Sequence, residues 1–203
     1  MVLFFLLFFQ ISLNAQENQV KTRNDKFGIS FSWFGENDVV RFNELEGEAS
    51  HSGDYFFTIG INYVHPLNRW LDAETGLEYS EQHILIHPNL SPNVPGLQRK
   101  ASFSLLNFPV SLRANFLNYF FVNGGLLLEV DASTNIPIDN QTGIGTILGL
   151  AFQYKFKHGV SAFVNPYSKI HSLIPFAASN HHQRVFESGF RFGIMYNFPK
   201  LER

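Results

Sequence analysis

The chain contains no cysteine, so disulfides cannot hold it together. A small exported domain without disulfides needs another means of closure, and a fully hydrogen-bonded, closed sheet is one. Positive charge is not in excess: 15 Lys and Arg stand against 17 Asp and Glu, a balance of −2. That argues against a nucleic-acid partner, which calls for a basic face. No apolar run approaches the about 20 residues that a spanning helix needs. Short chemical signatures are missing as well. There is no Gly-x-Ser-x-Gly elbow, no phosphate loop and no motif with zinc-ligand spacing. No self-similar repeat of about 20–50 residues is visible.

What is abundant is phenylalanine. Of 203 residues, 23 are Phe, and aromatics make up 16%. The mean hydropathy is nevertheless only −0.04. A soluble chain has little use for so many rings without a large core, whereas a membrane protein can set them against lipid.

The first apolar block, Val2 to Phe9, is followed by Leu13-Asn14-Ala15, a small-residue cleavage site before Gln16. This reads as an export signal over residues 1–15, although no Lys or Arg precedes the block. Residues 16–25 are polar and read as a flexible lead-in, residues 26–198 as one domain, and residues 199–203 as a short tail.

Through that domain the sequence alternates with period two, the signature of strands. Eight segments are expected: 26–34, 55–65, 70–86, 101–116, 119–132, 143–156, 160–170 and 184–198. In the first, Phe27, Ile29, Phe31 and Trp33 oppose Gly28, Ser30 and Ser32. In the last, Phe190, Phe192, Ile194, Tyr196 and Phe198 oppose Gly189, Arg191, Gly193 and Asn197. The seventh has the weakest pattern and contains Pro166. The connections carry a second rhythm: long (35–54), tight (66–69), long (87–100), tight (117–118), medium (133–142), tight (157–159) and long (171–183). Outer-membrane barrels alternate long outer loops with short periplasmic turns on an even number of antiparallel strands. The expected fold is therefore all-β: an eight-stranded antiparallel up-and-down transmembrane β-barrel, with both termini on the short-turn side.

Alternation alone leaves open which face points outward, since a soluble barrel also alternates. Volume decides. An eight-stranded barrel has an interior just wide enough to be filled by side chains. The apolar faces carry too many Phe, Tyr, Leu and Ile to fit inside, while the opposite faces are dominated by Gly, Ser, Asn and a few charges. The apolar face is therefore set on lipid. Aromatics near the expected strand ends (Trp33 and Tyr55 on the loop side, Trp70, Tyr119, Phe156 and Phe198 on the turn side) suit the interfacial girdles of such barrels.

Several stretches carry a family resemblance. They are Asn14-Ala15-Gln16, Leu106-Asn107-Phe108-Pro109-Val110-Ser111-Leu112-Arg113, Val122-Asn123-Gly124-Gly125, Gly145-Thr146-Ile147-Leu148-Gly149-Leu150, and the run from Gly189 to Phe198. The chain resembles the outer-membrane β-barrel domain family common in the Bacteroidetes, which includes PorT-like proteins. The resemblance implies outer-membrane insertion and contact with the barrel-insertion machinery. It also implies partners in secretion or envelope assembly, as for PorT-like proteins. There are two departures. Five residues follow Phe198, and Pro109 lies inside a strand, where a bulge or locally broken pairing is expected.

The inward faces carry Asp72, Glu74, Glu78, Arg113, Glu129, Asp131, Lys155, Glu187 and Arg191. Buried charges must pair or stay hydrated. Glu74 and Arg113 sit at similar heights on neighbouring strands and are expected to pair; Glu78 and Arg191 can pair across the lumen. The expected polar network is Glu74, Glu78, Arg113, Glu129, Lys155 and Arg191, acting structurally as a plug, with an ion or proton path as the alternative. Five histidines, His51, His87, His171, His181 and His182, fall in expected outer loops, but without convergent spacing no metal site is expected, and no cofactor. A lipid-modifying acyl hydrolase needs a nucleophile and base at the outer rim. Ser168 with His171, or Ser179 with His181, would be the candidates. The balance favours a non-enzymatic barrel in the cell outer membrane, surrounded by its lipid, with binding on its outer loops.

Overall fold

The computed structural model describes residues 24–40, 50–87, 99–133, 138–177 and 182–198. The proposed export signal and the tail lie outside them, as do most of the lead-in and parts of four connections.

Eight strands form in chain order: β1 (Lys26–Val40), β2 (Ser50–Pro66), β3 (Leu71–His87), β4 (Arg99–Phe116), β5 (Phe120–Asp131), β6 (Gly143–Lys155), β7 (Val160–Pro175) and β8 (Arg184–Asn197). Each pairs antiparallel with the next, and β1 pairs with β8 from Lys26↔Asn197 to Val40↔Arg184, closing the barrel. Closure leaves no free sheet edge, the condition for a sheet in hydrocarbon. The expected segments are strands except for single end residues (Trp70, Tyr119, Ala132, Phe156 and Phe198), and several strands run further. β1 continues to Val40 and β2 begins at Ser50, so much of the first outer connection is strand rather than loop. β7 continues five residues past Ile170, to Pro175.

The two faces are as different as the sequence alternation requires. On β1, Lys26, Ser30 and Ser32 are buried, while Phe27, Ile29, Phe31 and Trp33 are exposed. The outer wall carries exposed Ile59, Val110, Leu126, Leu148, Leu150 and Ile194, among many others. The interior holds Asn62, Glu74, Glu78, Asn107, Arg113, Asn123, Glu129 and Arg191. This inversion suits a barrel in lipid. The interior is not wholly polar, however. Three apolar clusters lie inside: Val64, Phe121, Ala151, Phe163 and Met195 towards the turn end; Phe56, Leu127, Ile147 and Tyr167 higher up; and Ile84, Phe103, Leu105, Ile138 and Val185 at the outer end.

The two prolines inside strands, Pro109 and Pro166, interrupt the ladder without shifting it. Pairing between β3 and β4 runs from Thr75↔Val110 to Glu78↔Asn107, skipping Pro109 at constant register. The Pro109 carbonyl instead accepts a hydrogen bond from Thr75 Oγ1 at 2.9 Å. Pairing between β6 and β7 likewise jumps from Gly149↔Tyr167 to Phe152↔Val164 across Pro166. Proline has no N–H to donate, so the break falls where the imino nitrogen faces its neighbour.

A real register shift lies at the outer end of β7. Ile144 pairs with Ile174 and Thr146 with Ile170, so His171, Ser172 and Leu173 together oppose the single residue Gly145. The bulge breaks the period-two rule: His171 and Ser172 are adjacent in sequence, yet both are buried.

Candidate functional site

The lumen contains one continuous ladder of alternating charge. At the turn end, Arg113 donates through Nε to Glu74 Oε2 at 3.1 Å, and its Nη2 lies 2.9 Å from the same oxygen. Glu74 Oε1 lies 3.4 Å from Arg191 Nη2, and Arg191 Nη1 lies 3.5 Å from Glu78 Oε1. Lys169 Nζ donates to Glu78 Oε2 at 2.8 Å and lies 3.7 Å from Glu187 Oε1. His171 continues the ladder, with Nε2 3.3 Å from Glu187 Oε2 and Nδ1 2.5 Å from Glu129 Oε1. Arg113, Arg191, Lys169 and His171 thus alternate with Glu74, Glu78, Glu187 and Glu129, and all are buried.

Topology explains the alignment. Asp72 and Arg113 are direct cross-strand partners on β3 and β4, so Glu74, two residues along, shares their face. Glu187 sits opposite Lys169 on β8 and β7. β5 brings Glu129 opposite Gly143 on β6, one strand away from the β7 bulge. Gly145 is needed there: a Cβ would lie 2.6 Å from the Glu129 carboxylate and 2.7 Å from the Ile170 carbonyl oxygen.

Neutral groups complete the network. Glu187 accepts from Tyr167 Oη at 2.6 Å and from Gln82 Nε2. Glu129 Oε2 accepts from the Ser172 backbone N–H at 2.6 Å. The Arg113 guanidinium lies 3.9 Å above the Phe121 ring, which covers its turn-side face. Both nitrogens of His171 face carboxylate oxygens, an arrangement in which the doubly protonated ring donates twice. With His171 charged, four cations match four anions along the ladder, so the lumen needs no counter-ion to be neutral along it.

Of the residues the sequence singled out, Glu74, Glu78, Arg113, Glu129 and Arg191 all lie on this ladder, and Glu74 faces Arg113. Lys155 is corrected. It has inward parity but is the last residue of β6 and is exposed at the turn end rather than enclosed with the ladder. Asp131 lies at the rim, where Oδ1 accepts from the Ser133 N–H at 3.0 Å. The sequence reading missed Lys169, Tyr167 and Gln82, and it placed His171 in a loop. Lys169 and Tyr167 stand at period-two positions of the weakly patterned seventh strand, which is the signal that was there to find.

The Ser168–His171 pair, the candidate of the disfavoured enzyme reading, does not form. Ser168 is exposed on the outer wall and His171 is buried inside, so they occupy opposite faces of β7. Ser168 instead lines a lipid-side cleft of about 590 Å³ with Leu148, Leu150, Pro166 and Phe190. Ser179 and His181 lie outside the described residues. Ser172, not Ser168, meets a histidine: its Oγ is 3.1 Å from His182 Nε2. Among the described residues, no group of three or more His, Cys, Asp or Glu is arranged to hold a metal ion.

The architecture is that of an outer-membrane β-barrel. Among solved structures, the chain is similar to the outer membrane protein OprG from Pseudomonas aeruginosa, with a TM-score of 0.51 at 11% identity over 88% of this chain and 97% of that one. A second likeness, to the translocator domain of the autotransporter NalP from Neisseria meningitidis, has a TM-score of 0.36 at 9% identity over 93% of each chain. No family model and no curated protein matches the sequence. The likeness therefore speaks to fold, and the polar lumen inside an apolar wall says independently that the barrel is built for lipid.

Proposed function

We propose that the protein is an integral outer-membrane barrel with a sealed, non-conducting lumen, which acts as a structural or binding protein through its outer end. The observation that carries this reading is the charge ladder. Each of its carboxylates faces at least one cation, and the residues between are packed with apolar clusters. A conduction path needs polar groups that an ion can engage and leave. Here they are engaged with one another. The long outer strands and connections are the surface left to meet partners. A planar-bilayer recording of the purified protein tests this. A silent membrane after verified insertion is expected; stable unitary current steps would overturn the sealed-lumen reading.

The PorT-like sequence motifs support a second reading, an accessory part in secretion or envelope assembly. Leu106 to Arg113 and Gly145 to Leu150 lie in the walls of β4 and β6, flanking β5. Cysteine-scanning cross-linking from the outward positions Val110 and Leu148 tests it. A discrete adduct with an envelope protein is expected, and adducts with lipid alone would count against a protein partner on this wall.

A further inference from the structure

The β7 bulge carries a second constellation, separate from the ladder. Ser172 holds a left-handed backbone, φ 48°, a conformation that costs a non-glycine residue on the order of 1–3 kcal/mol and is retained only where the surroundings impose it. The bulge turns its side chain inward, and its N–H is fixed by Glu129 at 2.6 Å. Its hydroxyl lies 3.1 Å from His182 Nε2. The other nitrogen of that ring, Nδ1, is buried without a hydrogen-bond partner, 3.9 Å from Asp139 Oδ2. The Asp139 carboxylate is held beside the ring by the Gln183 N–H at 2.9 Å. That separation is longer than a hydrogen bond, and catalytic hydrogen bonds are commonly long before substrate binds. Strained backbone, hydroxyl, imidazole and acid therefore converge from three separate chain segments.

We propose that Ser172, His182 and Asp139 form a nucleophile, base and orienting acid that cleave acyl esters of lipids in the outer leaflet. Burial holds the His182 pKa below its ordinary value, so the ring is neutral and able to take a proton at pH 7. Lipid is the substrate class because of where the site sits. Ser172 faces the lumen side of β7 at its outer end; Ile174 on the outer wall of that strand and Phe176 just past its end are 59% and 61% exposed, so the apolar wall begins within two residues of the site. Arg184 ties the two segments together, donating to the Leu173 carbonyl at 3.4 Å and the His182 carbonyl at 3.2 Å.

The reaction balances as a hydrolysis. Ser172 Oγ bonds to the ester carbonyl carbon while its proton passes to His182 Nε2. The carbon–oxygen bond to the alcohol breaks, and that proton goes to the departing oxygen. Water then attacks the acyl-serine and gives one proton to His182. The fatty acid leaves as the proton returns to Ser172 Oγ. Ester and water become acid and alcohol. Asp139 acts through the ring, as a positioning residue.

The test uses the full chain folded in detergent micelles, with folding read from its gel mobility before and after boiling. The probe is a long-chain alkyl fluorophosphonate, with 4-nitrophenyl palmitate as the turnover substrate. The wild type is expected to be labelled on Ser172 and to release nitrophenolate. Ser172→Gly, which suits the left-handed backbone and so keeps the fold, is expected to lose both. His182→Gln is expected to lower the rate by about 100-fold or more, the scale of general-base catalysis. Asp139→Asn is expected to lower it less and to alter its pH profile. A folded wild type that neither labels nor turns over, or labelling that persists in folded Ser172→Gly, would overturn the proposal. A silent bilayer is compatible with either result, so the sealed-lumen reading stands or falls separately.

Discussion

Replacing Arg113 by Met tests whether the ladder is a coupled unit. Arg113 is wholly buried, meets Glu74 at 2.9 Å and stacks on Phe121. Met keeps most of the volume and removes the charge. Removing one partner of a buried pair costs about 3–5 kcal/mol, because the other charge stays behind in a low-dielectric site. Glu74 would keep Arg191 at 3.4 Å, so the cost belongs at the lower end, about 3 kcal/mol. Glu74→Leu alone should cost a similar amount, since it strands Arg113. The double variant removes both charges, and Arg191 still has Glu78 at 3.5 Å. Its stability should return to within about 1 kcal/mol of the wild type, since apolar replacement of a whole buried pair is often neutral. Urea titration in phospholipid vesicles measures this, with folded and unfolded bands separated on unboiled gels. If the double variant loses the sum of the two singles, about 6 kcal/mol, the residues are not coupled and the ladder is a coincidence of placement.

Two further outcomes follow from the two faces and from the rim. Leu148→Arg places a charge on an outer-wall residue that is 65% exposed. In a soluble barrel this would change stability by no more than about 0.5 kcal/mol, whereas in a bilayer it should cost about 2–4 kcal/mol near the midplane; the same titration separates the two. His182, held neutral by burial, gives a pH effect of definite sign. Its folded pKa lies below the unfolded value of about 6.5, so the unfolded chain takes up the proton first as pH falls. Stability is therefore unaffected above about pH 7 and declines below about pH 6.5. His182→Gln should flatten that part of the profile, and an unchanged profile would show that the ring is not buried against a proton.

The strand count was legible because two signals with different causes coincide: lipid on one side and lumen on the other force period two, while insertion from one side forces long and short connections to alternate. The outward direction was legible from volume, since interior space in an eight-stranded barrel is fixed by strand number. Chemistry at the ends was harder to read. Lys155 shares inward parity with Gln153, yet only Gln153 is enclosed, because parity says nothing of height. The interior apolar residues Phe56, Phe103, Phe121 and Phe163 were hidden for the opposite reason. In a Phe-rich chain a ring carries little information about its side. Lys169 was obscured by Pro166, which made its strand look broken when only two consecutive pairs are missing on the β6 side and the register holds across them.

The Ser172 site could not be read from the sequence, and the reason is geometric. Continuing the alternation of β7 outward from Lys169 puts His171 inside, Ser172 outside and Leu173 inside. Three residues against Gly145 undo that order, turning Ser172 in beside His171 and returning Ile174 to the outer wall. The shift depends on pairing with another strand, which no local pattern encodes. It also depends on Gly145, whose missing side chain leaves room for the Glu129 carboxylate that receives both His171 and the Ser172 N–H. The same carboxylate thus ends the ladder and fixes the strained serine. One carboxylate, Glu129, joins the last cation of the ladder to the backbone of the proposed nucleophile, and both contacts depend on the bulge that brings His171 and Ser172 inward together.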